Sequence, residues 1–287
     1  MKASVLIRAL ACAPLGAVAV HAQTFNYTGG AYTQNFDSLP ANDTYSNQIS
    51  GRGPHSLDTG FGTTGLTGWY GVNTEAGSAN NTQFRAHDGS LSGGDGRGIV
   101  SFGSTGSTDR ALGALSTSNQ VNAFGLYLTN GTGSTLTEFS LSYTGEQWRV
   151  GDIGLTDTLT FSYAIVPAGS STGLLDDAAF TEVSALSFST PFTGSSEINN
   201  TAVDGNSSAY QVPLSSIVSG IVWNAGDTLI LRWTAQDLSG QDHGLAIDDL
   251  SFTAGSAVPE PATYAALLAL AVLAGVALHR GRRTVQQ

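Results

Sequence analysis

Leu136-Thr-Glu-Phe-Ser-Leu-Ser-Tyr143 sets Phe139, Leu141 and Tyr143 on one side of an extended chain and Glu138, Ser140 and Ser142 on the other. A side-chain period of two places one face in a core and the other in solvent, which is the signature of a half-buried β-strand. The same alternation, less strict, runs through Val121 to Leu128, Thr158 to Ile165, Thr228 to Thr234 and Leu245 to Phe252. Asn130-Gly131, Asp204-Gly205-Asn206 and Asn224-Ala225-Gly226-Asp227 supply turn residues between these runs. Many short strands separated by turn clusters predict an all-β fold, an antiparallel β-sandwich of jelly-roll type. The glycine-dense stretch from Gly51 to Gly98 is less periodic and is expected as long loops over one end or edge of the sandwich. Leu174 to Phe180 is expected as a short helical turn. No segment recurs at a fixed period, which excludes a solenoid or propeller.

The two ends of the chain have a different grammar. Lys2 and Arg8, the apolar stretch Ala9 to Val20 and the small-residue site Val20-His21-Ala22 predict a signal peptide over residues 1–22. Cys12, the single cysteine, would leave with it, so the exported part is expected to hold no disulfide. One ectodomain is expected over residues 23–257. Beyond it stand Val258-Pro259-Glu260-Pro261, an apolar run from Ala262 to Leu278, and a basic end with Arg280, Arg282 and Arg283. The prolines bar helix before Ala262. A helix over 262–278 spans roughly 25 Å, enough for a transmembrane segment whose arginines stay on the cytoplasmic side.

That tail, residues 258–283, resembles the PEP-CTERM sorting signal of Gram-negative bacteria. The resemblance implies an exosortase as processing partner, with Val258, Pro259, Glu260, Pro261, Arg280, Arg282 and Arg283 read as substrate. It also implies a precursor anchored in the membrane by the C-terminal helix, then release to the cell surface or an exopolysaccharide matrix.

Composition narrows the partners. The net charge is −11, and Lys2 is the only lysine. The ectodomain's cations are Arg52, Arg85, Arg97, Arg110, Arg149 and Arg232. Such a surface repels nucleic-acid phosphates and anionic membranes, and favours divalent cations.

Chemistry-bearing motifs are few. There is no His-Glu-x-x-His, no Gly-x-Ser-x-Gly and no phosphate-binding glycine loop, and His55, His87 and His243 are too scattered for a zinc site. Glu146-Gln147-Trp148-Arg149 follows a strand. Exposed, Trp148 would stack on a sugar ring while Arg149 and Glu146 bond its hydroxyls; buried, Trp148 would close the strand end, with Arg149 paired to Glu146 or Asp152. Trp69-Tyr70 is a second candidate platform, whereas Trp223 and Trp233 flank a hairpin-like turn and read as core.

Gln236-Asp-Leu-Ser-Gly-Gln-Asp-His243, running into Gly244-Leu-Ala-Ile-Asp-Asp-Leu-Ser-Phe252, is the most specific internal segment. Its closing strand resembles the last strand of jelly-roll carbohydrate-binding modules and MAM-type adhesion domains. In those folds an early strand, here near Asn35-Phe36-Asp37, lies beside the last. An acidic residue from each can hold a structural Ca²⁺; the resemblance implies Asp37 and Asp248 here, against a purely structural aspartate pair. Gly68-Trp69-Tyr70, Gly94-Asp95-Gly96, Asp109 to Gly113 and Tyr143 to Arg149 resemble a β-domain recurrent in PEP-CTERM proteins, which adds fold and location only.

Three function classes follow. The first is a non-catalytic surface or matrix protein, structural or binding extracellular polysaccharide. The second is a secreted glycan hydrolase, which needs two carboxylates in a cleft, and the third an adhesive protein-binding module.

Overall fold

A computed structural model describes residues 23–41, 43–74, 81–117, 120–170, 173–174 and 177–256. The expected signal peptide, sorting motif and transmembrane helix lie outside these residues.

The chain opens with the strands β1 (Phe25–Tyr27), β2 (Tyr32–Gln34), β3 (Ser46–Ser50) and β4 (His55–Ser56) and a one-turn helix α1 (Leu57–Phe61). Next come β5 (Trp69–Asn73), β6 (Asn81–His87), the short turn α2 (Gly93–Gly96), β7 (Gly98–Phe102) and β8 (Ala111–Leu115). The long strands are β9 (Asn122–Asn130), β10 (Leu136–Val150) and β11 (Thr158–Val166). Small strands β12 (Thr181–Glu182), β13 (Phe188–Ser189) and β14 (Thr201–Ala202) precede β15 (Gln211–Trp223), β16 (Thr228–Ala235) and β17 (Gly244–Gly255). The stretch from Gly51 to Gly98 is therefore strand-bearing and not loop: β4 to β6 sit within it and β7 begins at its end. Those strands are short and mostly buried on both faces, so they lack the alternation that marks the others in sequence. The helical turn expected near Leu174 to Phe180 is a single 3₁₀ turn at Asp177–Ala179.

Two sheets make a β-sandwich. One runs β12-β11-β16-β9-β5-β4 with β1 on β9 and β13 on β11; the other runs β14-β10-β17-β8-β7-β6-β3 with β15 on β10 and β2 on β17. All pairings are antiparallel except β1–β9 and β6–β7. From β8 onward the long strands alternate between sheets, so the turns between them cross the sandwich. Asn224 to Asp227 is one such crossing. It joins β15 in one sheet to β16 in the other, which corrects its reading as a hairpin.

The core forms where the inward faces meet. Trp233 of β16 stacks on Trp69 (5.9 Å) and Phe124 (5.8 Å) and takes Phe161 and Tyr143 edge-on. Tyr143 comes from the opposite sheet, so this aromatic group ties the two layers together. Rings packed edge-to-face and offset-stacked contribute beyond their area, by about 0.5–1.5 kcal/mol per pair.

A bulge in β17 decides what its ends present. Between the pairs Ser142↔Ser251 and Thr144↔Asp248 it carries one residue more than β10, and Asp249 takes φ +49°. The extra residue reverses the alternation, letting Phe252 and Leu250 on one side of it and Ile247 and Leu245 on the other all enter the core. Asp248 is then left on the outer face of the sheet.

Candidate functional site

On that outer face, one end of β10 and β17 brings Glu146, Trp148 and Asp248 together. Glu146 pairs with Ala246 and Thr144 with Asp248, so the two carboxyls are diagonal neighbours across the ladder. Trp148 is 1 % exposed; its Nε1 donates to Glu146 Oε2 at 2.9 Å, and Gln211 Nε2 donates to Oε1 at 3.2 Å. Gly205 lies so close over the indole that an added Cβ would stand 2.4 Å from Cε2. Trp148 thus has no face for a sugar, and the buried alternative holds, with Glu146 and not Arg149 as its partner. Burial, above all, pushes the Glu146 carboxyl up to about 7 and that of Asp248 to about 8; neighbouring negative charges add to both shifts.

The other expected site residues are placed apart from this group. Trp69 is fully buried and donates to the Tyr32 hydroxyl at 2.8 Å, while Tyr70, 7 % exposed, donates to Gln23 O at 3.1 Å. Neither is a surface platform. β2 does pair with β17, putting the early strand beside the last. Asp37, just past its end, is exposed and accepts from Asn35 Nδ2 (2.6 Å) and Arg110 N (3.4 Å). Asp248 is buried and accepts from Asp249 N at 2.7 Å.

Arg149 leads to a second place. It is 2 % exposed, gives Nη1 to Gly89 O at 3.1 Å, and leaves Nε buried without a partner. It forms part of the wall of a cleft of about 350 Å³, together with Ser92, Ser116, Thr117 and the loop Asp237 to Asp242 between β16 and β17. The loop is pinned to the segment after β10. Asp152 N donates to Gln241 O (2.9 Å), and Gln241 N donates to Asp152 Oδ2 (3.0 Å). His243 Nδ1 accepts from Gly151 N (3.0 Å) and lies 2.9 Å from Gln147 Nε2, so the ring proton sits on Nε2, facing Leu155 O at 3.2 Å.

The carboxyls at the cleft are Asp237 and Asp242, with Asp157 adjoining. Asp242, 7 % exposed, accepts from Leu238 N at 3.0 Å. Burial raises its carboxyl to about 8, aided by the charges of Asp157 and Asp237 and by a hydrogen bond with Asp237. Asp157, 2 % exposed, accepts from His243 N through Oδ2 and is itself raised by burial; its Oδ1 is buried and unpartnered. Sequence reasoning singled out this loop as specific but assigned the chemistry to the strand after it. The signal present was the cluster of two acids and two amides in eight residues; what it lacked was Asp157 and Arg149, which only the fold brings near.

With that geometry in view, the similarities can be set out. Residues 257–283 match the model of the PEP-CTERM protein-sorting motif. The chain carries a PEP-CTERM sorting signal. Such a signal marks an exported protein of a Gram-negative bacterium that is sorted by exosortase. No curated protein matches the chain. Among solved structures, the K3 cleaved adhesin domain of Lys-gingipain from Porphyromonas gingivalis is 11 % identical, with 65 % of this chain and 91 % of that one covered and a TM-score of 0.36. The xylan-binding module CBM15 is 8 % identical, with 75 % and 99 % covered and a TM-score of 0.32. A catalytic domain, that of Agl-KA, is 9 % identical over 87 % of this chain and 32 % of its own, with a TM-score of 0.29. Similarity at that level says nothing of ligand or reaction.

Proposed function

We propose that this PEP-CTERM protein is anchored as a precursor by its 262–278 helix, processed by exosortase and delivered to the cell surface or an exopolysaccharide matrix. There its jelly-roll-type sandwich binds polysaccharide without cleaving it. The observation that carries this reading is the cleft between Arg149 and the Asp237 to Asp242 loop. Its walls are hydroxyls, carboxyls, an amide and a guanidinium on a loop pinned by four hydrogen-bonding residues, the equipment that recognises sugar hydroxyls.

Hydrolysis fits less well. Asp237 and Asp242, the carboxyls on the cleft wall, belong to one loop, whereas glycosidases set their two carboxyls on either side of the scissile bond. An adhesive module needs a broad apolar patch. Among the described residues the exposed large apolar side chains are only Leu91, Ile153, Ile217 and Val222.

The test is calorimetric titration of the protein with the host's own exopolysaccharide and with neutral and acidic oligosaccharides. Gln241→Ala, at an exposed position whose backbone does the pinning, is expected to weaken binding about fivefold or more, from lost hydrogen bonds of roughly 1 kcal/mol. Binding that Gln241→Ala and Asp237→Asn leave untouched would move the site elsewhere, and no heat with any glycan would end the reading.

A further inference from the structure

β15, Gln211-Val-Pro-Leu-Ser-Ser-Ile-Val-Ser-Gly-Ile-Val-Trp223, is bonded to β10 on one side and, among the described residues, to no strand on the other. The strands that end the two sheets elsewhere are short: β14, β12 and β4 have two residues each and β3 has five. β15 has 13. An edge of that kind is a row of unpaired N–H and C=O groups, which folded proteins usually blunt with charge, proline or a bulge. No residue of β15 is charged, on a chain whose net charge is −11. Pro213 stands near one end and Gly220, at φ +77° within the register shift, near the other, so Leu214 to Ser219 lie open between them.

The direction of the free groups follows from the ladder. Gln147 N donates to Tyr210 O at 2.9 Å, and the pairing runs on unbroken from Glu146↔Gln211 to Glu138↔Ser219. Hydrogen bonding alternates along an antiparallel strand, so Val212, Leu214, Ser216 and Val218 bond to β10 while Pro213, Ser215, Ile217 and Ser219 aim their backbone groups outward. Among the described residues no turn or loop backbone bonds to those four. The side chains carry a second sign. Val212, Leu214 and Val218 pack on the core yet stay half-exposed, and Ile217 on the outer side is 66 % exposed. A strand laid along this edge covers the first three and satisfies the backbone row. We infer that its occupant is a second copy of this chain, paired β15 to β15 antiparallel about a two-fold axis at Ser216.

The two-fold fits the strand's own pattern. Directly opposite residues of an antiparallel pair share a face. Centred on Ser216, the axis sets Leu214 opposite Val218 of the second copy on the core side, and Ser215 opposite Ile217 on the outer side. Pro213, which has no N–H, then meets Ser219, whose N–H takes the Pro213 carbonyl. About six hydrogen bonds cross between the copies. An axis between two residues would instead set core-side chains against outer-side ones. The absence of charge argues for a copy of the same chain. Two identical uncharged edges bring no like charges together, and nothing on the strand draws a partner of opposite sign. The contact is isologous, so it closes at a dimer. No residue of β15 lines the cleft, and the interface stands independently of glycan binding.

The experiment is sedimentation velocity of the detergent-solubilised full-length protein over roughly 1–100 μM. A reversible dimer with a Kd inside about that range is expected, because a single strand pair is a small interface. Ile217→Pro removes an outward N–H that β10 does not use and should raise the Kd at least about tenfold. If that variant fails to fold, Ile217→Lys, a charge at the same exposed position, decides with the same loss expected. In a Cys12→Ser background, Ser216→Cys should form an intermolecular disulfide on air oxidation, since the two copies' positions 216 make a non-hydrogen-bonded pair with Cα atoms about 4.5 Å apart. Ser219→Cys, roughly 20 Å from its counterpart, should not. A monomer throughout the range overturns the interface. So does a dimer that Ile217→Lys leaves intact and Ser216→Cys fails to link, which places the contact elsewhere, the C-terminal helix included. Linkage through Ser219→Cys in place of Ser216→Cys overturns the axis at Ser216.

Discussion

Glu146 shows how far a residue's neighbours override its usual behaviour. It sits 2 % exposed beneath Gln211, with Trp148 donating to it, and burial lifts its carboxyl to about 7. A folded-state pKa above the unfolded value of about 4.5 means that stability from this group is complete below pH 4.5. It is lost as the pH rises through 7, because the native state must then hold a buried charge. Over that window the loss is about 3 kcal/mol at most, from 1.36 kcal/mol per unit of pKa. Glu146→Gln is neutral at every pH and keeps an acceptor for Trp148. It should lessen the fall in stability between pH 4.5 and 7, seen as a smaller drop in Tm across that range, the rest coming from the likewise raised carboxyls of Asp242 and Asp248; an unchanged slope would place the titrating group elsewhere. His87 works in the opposite sense. Burial holds its imidazole down to about 4, so its contribution is complete above 6.5 and shrinks as the pH falls toward 4. His87→Gln should therefore lessen acid sensitivity, measured as a smaller drop in Tm between pH 6.5 and 4. Neither behaviour is legible in sequence. Glu146-Gln147-Trp148-Arg149 shows which residues are adjacent, while the lid that buries them comes from Asp204 to Gln211, more than fifty positions away.

At the scale of elements, alternation identified what was half-exposed and missed what was buried on both faces. β10 and β11 were readable because one face of each is partly exposed for much of its length. β5, buried at every position, carries no period and looked like loop. Pairing partners were harder still, since a turn such as Asn224 to Asp227 has the same residues whether it closes a hairpin or crosses a sandwich. The cleft belongs to this scale, for it depends on how closely one loop can approach one strand end. Gly151 sets that approach. A Cβ there would stand 1.9 Å from Gln241 O and 2.7 Å from the Asp242 carbonyl, both backbone atoms that cannot swing aside. Gly151→Ala is therefore expected to lift the Asp237 to Asp242 loop and cost about 1–3 kcal/mol, while Gly255→Ala, with nothing within 4 Å, stays within about 0.5 kcal/mol. Chemical denaturation measures both. Equal stability of the two variants would mean that the loop has room to yield, and the cleft would not be the rigid feature described above.

For the whole molecule, the best-read segment is one that works as linear sequence. Val258-Pro259-Glu260-Pro261, the apolar run and the arginines are recognised in order along the chain, so no folding is needed to see them, and the match over 257–283 agrees. The ectodomain's class was equally accessible, because the solvent-facing half of a sandwich leaves its period in the sequence. A cleft built from the turn at Ser92–Gly93, the end of β8, β10 and the β16–β17 loop was not, since its parts span residues 92 to 242. The sorting signal makes the final prediction a matter of mass. Export removes residues 1–22 if Val20-His21-Ala22 is the cleavage site, and exosortase acts near the Pro-Glu-Pro motif. Expression with a cognate exosortase should therefore give a surface form that starts at Gln23 and ends between Val258 and Pro261, read by intact-mass spectrometry. The uncharged, largely apolar sequence from Ala262 to Leu278 is costly to leave in water, so a form that keeps Ala262 to Gln287 is expected to be a permanent single-pass anchor. In that case the sandwich would act at the membrane face, and a matrix polysaccharide would no longer be the ligand to try first.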